Sequence, residues 1–77
     1  MMKECQQRMR EAIKNELAKK EMRVWCIGNK VKSLKWTEEH LAILESLALE
    51  LRSLAYQIRN LKMAKLALET AMAESED

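Results

Sequence analysis

Proline and phenylalanine are absent from this 77-residue chain, and Gly28 is its only glycine. Because proline and glycine are the residues that interrupt helices, their scarcity favours long continuous helices. The abundant residues are Leu, Ala, Glu, Lys, Arg and Met, a composition typical of helical bundles and coiled coils. The length predicts a single helical domain, 1–77, with a core so small that oligomerisation often supplements it.

Groups that carry chemistry are equally scarce. His40 is the only histidine, Cys5 and Cys26 are the only cysteines, and none of them has the spacing of a zinc site. The chain has no glycine-rich phosphate loop and no recognisable serine–histidine–aspartate set. We therefore expect a protein that is not an enzyme and that holds no metal or cofactor.

Long apolar runs are missing as well. No stretch approaches the ~18 apolar residues that a membrane span needs. Met1 is followed by Lys3, Glu4 and Gln6 rather than by the apolar segment of a signal peptide. These features predict a cytoplasmic protein with reduced thiols and no membrane partner.

The strongest pattern that is present is a heptad repeat in the second half of the chain. Apolar residues recur there at alternating steps of three and four, with Lys65 as the one polar interruption. Thr37 is a good N-cap, and Glu38 and Glu39 suit a first helical turn, so we predict one long coiled-coil-like helix over 37–74. We predict that its heptad seam forms a dimer interface of Leu44, Leu47, Leu51, Leu54, Ile58, Leu61 and Leu68.

Further apolar positions extend the apolar surface of this helix beyond its heptad seam. One flank carries Leu41, Ala48 and Ala55. The opposite side carries a line that repeats every seven residues: Ala42, Leu49, Tyr56 and Met63. Two apolar faces imply two neighbours, of which one is the chain's own first helix and the other a second copy. The predicted fold class is therefore all-α, a helical hairpin that dimerises into a four-helix bundle, with the sense of the dimer left open.

The first half predicts a shorter helix and a connector. We place the first helix over 2–27, with an apolar stripe at steps of four: Cys5, Met9, Ile13 and Leu17. Gly28 favours a helix end followed by a connector over 28–36. The alternative is a short β-hairpin over 22–36, because 23–27 is dense in β-branched and aromatic residues and Gly-Asn is a turn signal.

Charge is unevenly distributed, although the net charge is only +2. Residues 1–36 hold ten Lys or Arg against four Glu, whereas 37–77 hold four against eight acidic residues. Basic residues interleaved with tryptophans are typical of a nucleic-acid site, where cations pair with phosphates and aromatic rings stack on bases. The candidate contacts are Lys19, Lys20, Arg23, Lys30, Lys32, Lys35, Trp25 and Trp36. The alternative is a solvated connector whose tryptophans fill the end of the bundle.

The second half also resembles a DNA-binding family. Trp-Thr-Glu-Glu at 36–39, followed by leucines at heptad spacing, looks like the opening of the first helix in Myb-like helix-turn-helix domains. Ser-Leu-Ala-Tyr-Gln-Ile at 53–58 is similar to the second helix of that family. The chain departs from the family at 50–52, where the heptad continues through a short segment without a turn residue. The resemblance implies a recognition helix over 61–70, with Lys62 and Lys65 as its basic residues.

Together these features predict a small regulatory or accessory protein that works by binding a macromolecule. The first interpretation is a homodimeric protein-interaction module with an unidentified protein partner. The second is a small nucleic-acid-binding regulator that uses the basic connector. The coiled-coil features are stronger than the base-reading features, which favours the first interpretation.

Overall fold

The structure, a computed structural model, describes residues 2–75, with side chains over 4–74. It contains two α-helices, α1 over Met2–Ser33 and α2 over Glu38–Ser75, joined by the connector 34–37. The helices run antiparallel, because Arg23 near the connector contacts Glu50 whereas Arg10 near the far end contacts Glu69. The rod they form measures 59 × 15 × 14 Å. The predicted all-α helical hairpin is confirmed.

Helix α1 is longer than predicted, and this corrects both expectations for the connector. The helix passes through Gly28, which has no positive φ, and ends at Ser33 rather than at Ile27. The described residues contain no strand, so the alternative β-hairpin over 22–36 is wrong. Continuing the helix lets Val31 and Leu34 pack on the same cluster as Ile27. Full burial of an apolar side chain contributes about 1.5–3 kcal/mol, so the partial burial of Val31 and Leu34 together is enough to offset the ~1 kcal/mol that a helical glycine costs.

Helix α2 is continuous over its whole length. It begins at Glu38, directly after Thr37, as the capping signals predicted. Because 50–52 is helical, the helix-turn-helix division that the Myb-like resemblance implies is absent here, and 61–70 belongs to the same helix. Nor does either described helix contain a stretch long and apolar enough to cross a membrane.

The connector is fixed by the ring of His40. Its Nδ1 lies 2.9 Å from the carbonyl oxygen of Lys35 and 3.4 Å from Oγ1 of Thr37. A carbonyl oxygen only accepts hydrogen bonds, so Nδ1 carries the proton and donates it. The backbone N–H of His40 also donates to the carbonyl of Thr37 at 3.0 Å. A residue at the first seam position of α2 thereby closes the turn.

The face of α1 that packs on α2 differs from the predicted stripe. Ile13 and Leu17 belong to it, but Cys5 and Met9 are exposed. A strict four-residue step drifts around a helix of 3.6 residues per turn, whereas alternating steps of four and three stay on one face. Apart from Gly28, the covered or half-covered positions follow that alternation: Gln6, Arg10, Ile13, Leu17, Lys20, Val24, Ile27, Val31 and Leu34.

The apolar core lies in the connector half of the hairpin. Its centre is Ile27, which is 1% exposed and packs with Leu47 and Leu54. Four partly buried residues surround this cluster: Val24, Val31, Leu34 and Leu51. Two residues of the predicted dimer seam, Leu47 and Leu54, are thus already covered by α1 of the same chain. The dimer interface itself stays a prediction.

Candidate interaction surface

The two helices meet along two sides of the hairpin, and the two sides differ in chemistry. We call one the closed flank, because polar side chains of α1 and α2 bridge it. We call the other the open flank, because an apolar groove runs along it between the helices. The groove is lined by Val24, Leu51, Ala55, Ile58, Arg59, Lys62, Met63 and Leu66.

The closed flank is bridged by a bidentate ion pair. Arg23 Nε and Nη2 donate to the two carboxylate oxygens of Glu50 at 2.5 and 2.8 Å. The hydrogen bond from Arg23 holds the pKa of the Glu50 carboxyl below its ordinary value, although desolvation acts in the opposite direction. The hydrogen bond to Glu50 and the charge of its carboxylate raise the pKa of the Arg23 guanidinium. This geometry fixes the register of the two helices more than it adds to their stability, because the Arg23 and Glu50 side chains are still 52% and 38% exposed to solvent.

A second polar bridge continues the closed flank. Lys20 Nζ donates to Gln57 Oε1 at 2.5 Å and lies 3.8 Å from a carboxylate oxygen of Glu16. Gln57 Nε2 in turn donates to Ser53 Oγ at 3.1 Å. Lys20 occupies a seam position of α1, so the bridge brings a charged side chain to the edge of the helix interface.

The open flank has no such bridge at its middle. The groove has a volume of about 700 Å³ and opens to solvent. Its floor is apolar, and its edge on α2 carries Arg59 and Lys62, which form no ion pair within the part of the chain that the structure describes. Leu66 at the end of the groove is 66% exposed. An apolar groove with unpaired cations at its edge is suited to an apolar segment that carries acid.

Helix α1 carries a separate apolar depression on its own exposed surface. It is lined by Ala18, Glu21, Met22 and Trp25. Trp25 and Arg23 are two residues apart, hence about 200° apart around the helix, so Trp25 lies on the side opposite the closed flank. The indole is 64% exposed. Because Arg23 contacts Glu50, Trp25 lies level with the middle of α2.

The outer face of α2 points away from α1 altogether. Leu49 and Tyr56 are each 66% exposed and share a shallow depression with polar neighbours. Those neighbours are Arg52, Ser53, Gln57 and Asn60. Leu49 and Tyr56 belong to the line Ala42, Leu49, Tyr56 and Met63 that the sequence placed opposite the seam, and their exposure agrees with that placement. Met63 is also exposed, but it lines the groove of the open flank.

At the far end of the hairpin the seam itself is polar. Glu69 of α2 lies 3.4 Å from Arg10 Nε across the helices and 4.0 Å from Nζ of Lys65. Arg10 and Lys65 both occupy seam positions, where an apolar residue would pack. This network replaces apolar packing near the chain ends.

The candidate nucleic-acid contacts are divided by the fold. Arg23 and Lys20 are engaged across the closed flank, and Lys19 lies 3.9 Å from Glu16. Lys30 and Lys32 lie within the last turn of α1, not in a connector, and are about 200° apart around the helix. The two candidate tryptophans are also separated: Trp25 is on the exposed surface of α1 and Trp36 is in the connector, 81% exposed.

No cluster in the described part of the chain resembles a metal site. Cys5 and Cys26 are free and exposed, and no group of three or more His, Cys, Asp or Glu residues converges there. The cysteines therefore contribute little to packing, contrary to the predicted place of Cys5 in the apolar stripe of α1.

Sequence reasoning located part of the open flank and missed the rest. The flank line that includes Ala48 and Ala55 was visible as small apolar residues beside the seam. The groove edge at Arg59 and Lys62 was missed, although Arg59 lies one heptad before Leu66 and therefore on the same side of the helix. Comparisons of the chain with family models, with curated proteins and with solved structures found no match.

Proposed function

We propose that this protein is a non-enzymatic helical interaction module that forms a homodimer and binds another protein through the outer face of α2. The observation that carries this proposal is an imbalance in apolar burial. Only four hydrophobic side chains are buried, whereas ten large hydrophobic side chains are exposed, among the residues that the structure describes. Six of the exposed ones lie on α2: Leu41, Ile43, Leu49, Tyr56, Met63 and Leu66. Exposed apolar surface of this kind marks sites of association.

The open flank can accept a second hairpin, which would complete the four-helix arrangement. Leu51 and Ile58 belong to the predicted dimer seam and also line the groove, so a second copy can still reach them. Leu47 and Leu54 remain the core between α1 and α2 of each chain. In such a bundle each α2 has two helical neighbours, which matches its broad apolar surface.

The outer face of α2 remains available in this arrangement. Leu49 and Tyr56 offer an apolar and aromatic contact with polar groups around them, a composition found at protein–protein interfaces. We assign the protein a small regulatory or accessory role on this basis. We place it in the cytoplasm, where the exposed thiols of Cys5 and Cys26 stay reduced.

Light scattering on a sizing column, run over a range of protein concentrations, tests the homodimer. We expect twice the mass of one chain, and a melting temperature that rises with protein concentration because only the folded state associates. One chain's mass at every concentration, with a melting temperature independent of concentration, would contradict the proposal.

Nucleic-acid binding is a second candidate, favoured by one observation at the connector end. Lys30, Lys32 and Lys35 form no ion pair among the described residues, and the exposed Trp36 directly follows Lys35 in the chain. Duplex DNA binding through these lysines must weaken with salt, by a slope of about −0.9 in log K against log salt for each phosphate bound.

Replacing the three lysines by Gln tests this candidate better than replacing them by Glu. Lys30 and Lys32 lie in the last turn of α1, where acid is unfavourable to the helix dipole, so Gln removes charge with less effect on helicity. We expect the salt slope to become shallower by about 0.9 for each phosphate that the variant no longer binds. An unchanged slope, or no binding by the wild type at low salt, would exclude the connector as a nucleic-acid site.

A further inference from the structure

We infer that the partner segment bound by the outer face of α2 is an amphipathic α-helix with carboxylates along one edge of its apolar stripe. The inference rests on the proposed function, which places a protein partner on this face, and it adds the chemistry of that partner. An apolar line on α2 with a basic line beside it points to this partner. The apolar line is Leu49, Tyr56 and Met63, and the basic line is Arg52 and Arg59.

The apolar line has the spacing of a helix-packing surface. Its residues repeat every seven positions, so they lie on one side of α2 and span about 21 Å at 1.5 Å per residue. Leu49 and Tyr56 are each 66% exposed and Met63, where the line meets the groove of the open flank, is 60% exposed. Contacts between packed helices also recur at heptad spacing. The line therefore suits a helix of about four turns.

The two arginines lie along one edge of this line. Each of them follows a residue of the apolar line by three positions, so both lie on the same side of it. Arg52 and Arg59 form no ion pair among the described residues. The other edge carries Ser53 and Asn60, each four positions after a residue of the line and uncharged. A docked partner therefore meets positive charge along one edge alone.

The middle of α2 holds no acid that could neutralise these arginines. Between Glu50 and Glu69 all four charged residues are basic, and Glu50 itself is paired with Arg23 of α1. Glu45 lies one heptad before Arg52, so it ends the basic line on the connector side. Acid on the partner complements this charge, whereas a basic partner is repelled.

The spacing of the arginines sets the spacing of the partner's acid. Seven residues of helix rise about 10.5 Å, so a helix packed alongside α2 reaches both arginines with carboxylates that are also seven residues apart. A guanidinium binds a carboxylate through two parallel hydrogen bonds, which favours Arg over Lys at such an edge. Tyr56 lies between Arg52 and Arg59 in the chain and provides an aromatic anchor with a polar hydroxyl.

The same surface suits a nucleic acid less well. Duplex affinity comes from many phosphate contacts, and single strands need several aromatic rings on which bases stack. The outer face offers two arginines and one tyrosine beside the aliphatic side chains of Leu49 and Met63. Aliphatic side chains at heptad spacing favour a helix instead.

A pair of designed peptides tests the inference. Both are amphipathic helices of about 21 residues with the same leucine stripe, edged with Glu in one peptide and with Lys in the other. Fluorescence anisotropy of each labelled peptide, at a concentration that keeps it monomeric and at ~50 mM salt, measures its Kd for the 77-residue chain. We expect the Glu peptide to bind at least about tenfold more tightly than the Lys peptide.

Variants of the protein locate the bound peptide. Arg52→Gln and Arg59→Gln made together should raise the Kd of the Glu peptide about tenfold, because two ion pairs are lost. Leu49→Ser should raise it by a similar factor through lost apolar contact. Arg8→Gln and Met9→Ser, at exposed positions of α1, are the matched controls and should leave this Kd unchanged.

The outcomes separate this inference from the proposed function. Equal binding of both peptides, weakened in each case by Leu49→Ser, overturns the acidic partner while docking on the outer face stands. No binding of either peptide overturns the helical partner, and the homodimer is still judged by light scattering. Binding of the Glu peptide that ignores the outer-face variants and splits the dimer overturns the inference and the proposed docking on the outer face together. Duplex DNA that binds through the two arginines, where the Glu peptide does not, also overturns the inference.

Discussion

The closed and open flanks border the same pair of helices and yet differ in chemistry. The closed flank is complete within one chain, because Arg23 and Lys20 of α1 find their partners Glu50 and Gln57 on α2. The open flank carries the apolar groove and, at its edge, two cations that form no ion pair among the described residues. Polar pairs thus set how the hairpin closes, whereas the exposed apolar surface is where we propose that it binds a partner.

The largest effect on the free energy of unfolding is expected at Ile27, whose packing holds the two helices together between both flanks. Ile27→Ala removes the most buried side chain of the core, and the cavity should lower the free energy of unfolding by about 3 kcal/mol. Urea denaturation followed by circular dichroism measures this decrease. Met9→Ala, at an exposed site on the same helix, should change stability by less than about 0.5 kcal/mol. Equal effects at the two sites would mean that the core does not lie at Ile27.

The next largest effect, on the dimer Kd, distinguishes a dimer interface on the open flank from one on the outer face of α2. Leu66→Ser and Leu49→Ser change the same residue type on the same helix, and each leucine is 66% exposed. Only Leu66 lines the groove, so we expect its replacement to raise the dimer Kd about tenfold, the equivalent of ~1.4 kcal/mol. Leu49→Ser should leave Kd unchanged. Sedimentation analysis of both variants decides, and a larger effect at Leu49 would move the interface to the outer face.

A smaller, stabilising effect is expected at the glycine inside α1. A Cβ built on Gly28 meets nothing within 4 Å, and its φ is not positive. Gly28→Ala should therefore raise the free energy of unfolding by about 0.5–1 kcal/mol, because alanine has the higher helix propensity. Denaturant midpoints measure the increase. A lower stability would indicate that the added methyl group at Gly28 meets a neighbour that the single hairpin does not contain.

The smallest effect concerns the closed flank and depends on pH. Because Arg23 lowers the pKa of Glu50 in the folded chain, the pair stabilises the fold above the unfolded carboxyl pKa of about 4.3. The contribution is lost as pH falls through the lower, folded pKa. Glu50→Gln should thus unfold at lower urea concentration than the wild type at pH 7, and the difference should vanish in acid. Glu11→Gln, at an exposed carboxyl that forms no ion pair in the described chain, is the matched control and should leave the urea midpoint at pH 7 unchanged.

Sequence patterns correctly predicted the features that repeat along one helix. They did not predict the contacts that form where the two helices meet. The heptad of α2 and its start after Thr37 follow from local periodicity and capping, and both are present. The predicted end of α1 was wrong because Gly28 is only a local stop signal. Burial of Ile27, Val31 and Leu34 overrides that signal. The ion pairs across the helices were also missed, since nothing in the order of residues indicates that Arg23 faces Glu50. The apolar half of the open flank was visible as small residues beside the seam; its basic edge was not.

The placement of the apolar core at the connector end has a consequence for how the hairpin opens. Ile27, Leu47 and Leu54 hold the helices together next to a connector of four residues, whereas the far end is joined through the polar network of Arg10, Lys65 and Glu69. Local opening takes the weakest contacts first. We therefore expect amide hydrogen exchange to be slowest around Leu47 and Leu54 and fastest towards the chain ends. Such a pattern would mean that the helices separate and re-close at the end far from the connector while the connector end stays packed.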